Sequence, residues 1–342
     1  MNKSLLNILF TSSIWCLGLC SLLFDSCDSP QDAFIQLEGK AQGTTFSICY
    51  LDPKSRDFSK EVDSLFRAVD HSMSTWDTSS IITAFNANLP AQADVHFIRV
   101  FERAHAISED TKGVFDISVG PLVRAWGFSY KKNLPPPDSA MVDSLQQLIG
   151  YEKIQLVEGK LVKSNPAMQV DMNAIAQGYT VDVMAEFLES KGVERYMVEI
   201  GGEVRTAGLN ASETPWQIGI DKPVEPDAPR TLQTVVSLSD RSLATSGSYR
   251  KFIERDGHKY SHAINPISGY PVEHSLLSVS VLADNCMDAD AYATAFLVMG
   301  LDQTMKLAAQ KGMDVYCIYA DSSNQLQVAT TEGFQRLLQE VE

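Results

Sequence analysis

The sequence predicts an α+β protein, mixed sheets with helices packed outside. Three observations lead there. Apolar residues recur at helical spacing over residues 61–73 and 97–111, the signature of helices with one face on a core. Short β-branched and aromatic runs bounded by glycine, such as Thr44-Thr45-Phe46 after Gly43, read as strands. The two kinds of segment are interspersed, with paired strands near both ends of the chain, so helices and sheets share the same core. With 342 residues, 44% of them hydrophobic and 21% charged, the chain is long enough for one large core or two domains.

Taken in order, residues 34–51 read as two strands around Gly39-Lys40-Ala41-Gln42-Gly43. Gly43 permits either close approach to a ligand or a plain hairpin turn. The helix over 61–73 carries Val62, Leu65, Phe66 and Val69 as its stripe, and a Ser/Thr-rich loop follows. Trp76 in that loop suits stacking on a flat ring or a place in the core. After the helix at 97–111, two glycine-flanked aromatic segments, 113–122 and 125–128, suggest a shaped wall or core packing. Pro135-Pro136-Pro137 leads into a helix that Ser139 could cap. Glu158-Gly159 turns a hairpin.

Residues 170–179 form a strand-to-helix passage, and the helix runs on to Gly192. Helix N-termini offer free N–H groups to anions. Residues 197–200 make a strand ending in Gly201-Gly202, a weak phosphate or turn signal. Further strands are expected at 216–220, 234–238 and 277–282, with a closing pair at 315–319 and 326–328. His262 lies in a polar stretch after a Ser/Gly segment at 243–250. A histidine so placed is structural or catalytic.

Lys3 precedes a mostly apolar run over residues 5–24, which looks like an export signal. Phe24-Asp25-Ser26-Cys27 resembles a loose bacterial lipobox. Residues 1–26 are therefore expected to be a lipoprotein-type signal peptide and 27–34 a tether. Cys27 would carry the lipid that anchors an exported protein to a membrane of the cell envelope. Beyond this region only Cys49, Cys286 and Cys317 remain, too few and too scattered for a disulfide framework or zinc site. The formal net charge of −15 with no Lys/Arg cluster argues against nucleic acid as a partner. An anionic ligand would have to be neutralised locally, by a metal, backbone N–H groups or a few placed cations.

One stretch carries most of the chemistry. Met287-Asp288-Ala289-Asp290-Ala291-Tyr292-Ala293-Thr294-Ala295-Phe296 holds four alanines in ten residues, a strong helix former. Asn285 is placed to cap it, with Asp288 in the first turn and Gly300 as a stop. Asp290 and Thr294 are four residues apart and share a face. A carboxylate and a hydroxyl one turn apart are hard oxygen ligands suited to Mg²⁺. An amphipathic helix with Asp290 in solvent fits the same letters.

Eight blocks in order resemble the ApbE family of FAD:protein FMN transferases and related flavin-handling lipoproteins. They are Gln42-Gly43-Thr44; Ser74-Thr75-Trp76 with Ser80 and Asn86; 113–128; 171–182; Ile200-Gly201-Gly202; 245–250; 261–271; and 288–300. The resemblance spans about residues 35–335 and implies one flavin transferase domain over 35–338, with an FAD cleft between two lobes. It implies Mg²⁺ at Asp290, Thr294 and the Ala174 carbonyl. It also implies an FAD site lined by Gln42, Trp76, Trp126, Gly127, Phe128, Asp171 and Gln177. Trp76 stands where the family usually has Tyr, and Gln177 where a charged Lys or Glu is common.

The reaction so implied attaches FMN to a Thr or Ser hydroxyl of an acceptor flavoprotein and releases AMP. The acceptor would be a subunit of a membrane redox complex. His262 is the candidate base, its type having an ordinary pKa near ~6.5. The alternatives are an FAD pyrophosphatase that yields FMN and AMP, and a non-catalytic FAD-binding lipoprotein.

Overall fold

The computed structural model describes residues 34–128, 135–224, 229–249, 252–255 and 258–339. The export segment, Cys27 and most of the tether lie outside these residues, as does Arg250. Among the described residues no helix is long and apolar enough to cross a membrane. The described residues belong to one compact unit.

The helices are α1 Ser59–Met73, α2 Ile81–Asn86, α3 Val95–Asp110, α4 Gly120–Ala125, α5 Ser139–Gln146, α6 Ala176–Ser190, α7 Cys286–Met299, α8 Leu301–Lys311 and α9 Glu332–Gln335. The strands begin with β1 Ile35–Ala41, β2 Thr44–Leu51, β3 Ile154–Val157, β4 Lys160–Lys163, β5 Arg195–Ile200, β6 Glu203–Ala207, β7 Trp216–Asp221 and β8 Leu232–Leu238. They continue with β9 Ser242–Gly247, β10 Phe252–Arg255, β11 His258–Ser261, β12 Leu276–Ala283, β13 Asp314–Ala320, β14 Leu326–Thr330 and β15 Leu338–Gln339.

Eight strands form the main sheet in the order β1-β2-β5-β6-β9-β12-β13-β14. Every ladder in it is antiparallel. The α+β class therefore holds, while the mixture lies between helices and sheets and not in strand direction. A three-stranded sheet, β15-β8-β7, packs on one face of the main sheet. Along β13 the alternation is plain: Val315 and Cys317 pack with the helices, Tyr316 and Ile318 with the small sheet.

Two short turns shape one end of the main sheet. Ala41 pairs with Thr44 across Gln42-Gly43, whose φ angles are 52° and 75°. Ile200 pairs with Glu203 across Gly201-Gly202, with φ of 64° and 110°. Two-residue hairpins need left-handed backbone, which explains the glycines. The Gly201 N–H donates to the Thr45 carbonyl at 3.0 Å, tying the two turns side by side.

Local chemistry fixes the helix starts. Asn285 caps α7 by accepting from the Asp288 N–H at 2.8 Å, as its sequence position suggested. Asp138, and not Ser139, caps α5, accepting from the Met141 N–H at 2.8 Å. Its carboxylate sits one residue earlier, where it reaches the third N–H of the helix. Helix α7 departs from the amphipathic alternative. It is buried nearly all round, packed by α3, α6 and α8 and by strands β6, β9 and β12. That environment explains its run of alanines, which let neighbours approach on several sides.

Candidate active site

A cleft of about 1900 Å³ opens where the two hairpin turns, the loop into α6 and the flank of α7 converge. It is larger than the ~300–1,000 Å³ of drug-sized ligand sites and suits a dinucleotide. Of the expected site residues, Gln42, Trp76, Gly127, Phe128, Asp171, Ala174, Gln177, His262, Asp290 and Thr294 all line it. Trp126 does not. It is 5% exposed, donates its indole N–H to the Gly269 carbonyl at 2.9 Å and packs against Tyr260 and Tyr270. The turn after α4 points Gly127 and Phe128 into the cleft and leaves Trp126 as the core anchor behind them.

Gln42 donates to Asp70 Oδ1 at 3.0 Å, which holds the first turn against α1. Trp76 is 69% exposed and lines the cleft. The Asp171 carboxylate accepts from the Asn173 N–H at 2.9 Å, and burial pushes its pKa upward. The His262 ring lies edge-on to Phe128, centroids 6.4 Å apart.

The centre of the site is the crossing of α6 and α7. The Gly178 N–H donates to Asp290 Oδ2 at 3.0 Å. Helical geometry would direct that N–H back to the carbonyl of Ala174. Among the described residues the Ala174 carbonyl receives no hydrogen bond. Gly178 is also the contact point, since a Cβ there would lie 2.3 Å from the Cys286 carbonyl oxygen. Thr294 Oγ1 shares a 3.1 Å hydrogen bond with Ser246 Oγ on β9.

Glu203 was not singled out in the sequence, yet it belongs here. It is 9% exposed and accepts from the Gln177 amide, which also donates to the Ile200 carbonyl at 2.9 Å. Asp290 is 7% exposed. Burial raises the Asp290 carboxyl to about 7, opposed by the Gly178 N–H and reinforced by the charge of Asp182. Burial and then the Asp290 charge push Glu203 well up. The signal was legible in part: a carboxylate directly after a Gly-Gly turn must lie at the same sheet end as the turn itself.

These groups offer oxygen donors alone: a carboxylate, a hydroxyl, an unengaged carbonyl, and a second carboxylate nearby. That set fits a hard divalent cation such as Mg²⁺. No cluster of three or more His, Cys, Asp or Glu of metal-binding geometry occurs among the described residues. A site here would thus use main-chain and hydroxyl oxygens beside a carboxylate.

A model of the ApbE family matches residues 42–318. The chain belongs to the ApbE family. A Vibrio cholerae relative named FAD:protein FMN transferase is 35% identical over 331 residues, 94% of this chain and 95% of that one. The Escherichia coli K12 protein of the same name is 32% identical over 316 residues, 87% of this chain and 90% of its own. The solved flavin transferase ApbE from Vibrio cholerae superposes with a TM-score of 0.80 at 34% identity, over 89% of this chain and 99% of that one. The apo flavinyl transferase ApbE from Pseudomonas stutzeri gives 0.80 at 29% identity, over 90% and 97%. The residues matched by the family model therefore include both hairpin turns and the α6–α7 crossing.

Proposed function

We propose that this ApbE-family protein is a Mg²⁺-dependent FAD:protein FMN transferase. The observation that carries the reading is the α6–α7 crossing, which brings Asp290, Thr294 and the unengaged Ala174 carbonyl to one cleft of dinucleotide size. Those three would hold Mg²⁺, which when bound supplies charge neutralisation at the phosphate oxygens.

The remaining steps belong to the chain. Trp76, exposed at the cleft, stacks on a ring of FAD. Gly127 and Phe128 shape the wall, and the Gln42-Gly43 turn lets backbone approach the ligand closely. The acceptor's Thr or Ser oxygen attacks the FMN-side phosphorus, and the bond to the bridging oxygen breaks. FMN is left in a phosphoester, and AMP departs with the bridging oxygen. His262, on the cleft wall, takes the hydroxyl proton. The acceptor segment must exclude water, since water in its place would give free FMN and AMP.

The acceptor is a flavoprotein with an exposed Thr or Ser, a subunit of a membrane redox complex. Export by residues 1–26 and a lipid on Cys27 would hold the enzyme at a membrane of the cell envelope beside it.

The test is mass spectrometry of a candidate acceptor co-expressed with the chain, joined to an AMP assay on purified protein with FAD, with and without Mg²⁺. A covalent FMN adduct on Thr or Ser, with AMP formed when acceptor is present, is the expected result. AMP at the same rate without acceptor would mark a pyrophosphatase. Tight FAD binding with no AMP would mark a flavin-binding lipoprotein.

A further inference from the structure

Both Asp182 oxygens are occupied by the start of a different helix. Asp182 Oδ1 accepts from the Cys286 N–H at 2.9 Å and Oδ2 from the Met287 N–H at 2.8 Å. These are the first two N–H groups of α7, which lack partners inside their own helix. Asn285 takes the Asp288 N–H, so three of the four free donors are accounted for by side chains. Asp182 is itself 1% exposed and is held from behind by Arg205, whose Nη1 donates to Oδ1 at 2.9 Å. The second Arg205 nitrogen donates to Glu189 Oε1 at 3.0 Å, one further point of anchorage on α6.

The spacing of these contacts is what matters. On α6, Gly178 and Asp182 are one turn apart; on α7, Cys286 and Asp290 are one turn apart. Gly178 meets Asp290 while Asp182 meets Cys286, so one turn of each helix is locked antiparallel to the other. A slide of α7 along α6 would break both ends together. The main-chain clamp at Asp182 therefore fixes where Asp290 and Thr294 stand relative to the Ala174 carbonyl, at the mouth of α6.

We propose that Asp182, oriented by Arg205, is a positioning residue for the divalent-cation site, setting its geometry through the N-terminus of α7 and not by contact with the cation. The inference rests on the reading of Asp290, Thr294 and Ala174 as that site. Groups that orient metal ligands from behind typically change metal affinity by about 10–100-fold when lost. Asparagine at 182 keeps the size but offers one accepting oxygen where two N–H groups now converge.

The test is calorimetric titration of Mg²⁺ into purified protein without FAD, well below the melting temperature, for wild type, Asp182→Asn and Arg205→Gln. Hydrogen exchange at the Cys286 and Met287 amides is followed in the same samples. Asp182→Asn should weaken Mg²⁺ binding about 10–100-fold and speed exchange at both amides. Arg205→Gln should do the same to a smaller degree, and it keeps the question open to measurement if the first variant does not fold. Wild-type Mg²⁺ affinity in folded Asp182→Asn, or in folded Arg205→Gln with faster amide exchange, would overturn the proposal. A wild-type protein that binds no Mg²⁺ would remove the cation site itself and the proposal with it.

Discussion

Replacing Gly178 with alanine asks whether the helix crossing sets the site. In an exposed helix interior that change stabilises by about 1 kcal/mol, because glycine is the poorer helix former. Here the sign should reverse. The new Cβ would lie 2.3 Å from the Cys286 carbonyl oxygen, 2.8 Å from the Cys286 carbonyl carbon and 2.7 Å from Asp290 Cβ. Two of these are backbone atoms and the third is bonded to backbone, so no flexible tip can swing away. Carbon contacts settle near ~3.5 Å, so the helices must part by about 1 Å. Overpacking costs about 1–3 kcal/mol, and a clash between two helices belongs at the upper end of that range. Against the propensity gain, the net loss is about 2 kcal/mol, or about 4 °C in Tm for a chain of this size. The same parting stretches the 3.0 Å bond from Gly178 to Asp290. A misplacement of about 1 Å at a reacting centre costs on the order of 10²-fold in rate. Thermal melts and AMP release in the presence of acceptor measure the two effects. A variant that melts at or above the wild-type temperature refutes the packing argument. One that melts low but turns over normally refutes the link from the crossing to the site.

Three further perturbations probe separate parts of the cleft. The Asp290 carboxyl sits at about 7 in the fold against 3.8 ordinarily, so the folded chain binds more protons than the unfolded one between those values. Metal-free stability should then fall as pH rises from about 4 to about 7. Asp290→Asn should remove that fall: without metal it melts above wild type at pH 8, a difference on the order of a few kcal/mol, and matches it below pH 4. Saturating Mg²⁺ should raise the wild-type Tm at pH 8, leave the variant unmoved, and lose its effect on wild type near pH 5; equal shifts in both proteins would undo the assignment. His262→Ala should bind FAD as wild type does, by fluorescence quenching, and lose acceptor-dependent AMP release; retained turnover would put the base elsewhere. Trp76→Ala should leave the Tm unchanged, the side chain being 69% exposed, and weaken FAD binding by about 1–3 kcal/mol, the worth of a ring on an aromatic platform. An unchanged FAD affinity would take Trp76 out of the site.

How far the letters revealed this arrangement follows from the range of each interaction. The cap at Asn285 and the Gln42-Gly43 hairpin depend on neighbours two or three residues away, and both were readable. Which aromatic of Trp126-Gly127-Phe128 faces the cleft was not. It turns on the Gly269 carbonyl, 143 residues on, that takes the indole N–H. Glu203 is only half legible for the same reason: the Gly-Gly turn beside it gives its sheet end, but not its burial near Asp290. The amphipathic alternative for α7 could not be dismissed from composition, because alanine suits a solvent face and a crowded core equally. Only the packing of α6 and the main sheet around it decides the matter.

The charge balance of the site explains why metal and pH should act on the same groups. Two carboxylates, Asp290 and Glu203, are buried at one cleft, and burial opposes ionising both. The arginines near the pair are engaged with other carboxylates: Arg205 is divided between Asp182 and Glu189, and Arg230 on the cleft wall pairs with Asp221 at 2.6 Å. At position 177 this chain has a neutral amide, which donates to the Ile200 carbonyl and to Glu203. A lysine there would bring a fixed positive charge to the pair; the amide brings a hydrogen bond and no charge. On the proposed reading, compensation would be left to exchangeable species, protons at low pH and a divalent cation at neutral pH. A chain with a net charge of −15 would gain from this arrangement if, as proposed, it receives an anionic diphosphate. With the proposed cation present the pair would be held charged; without it, burial favours the protonated form of both.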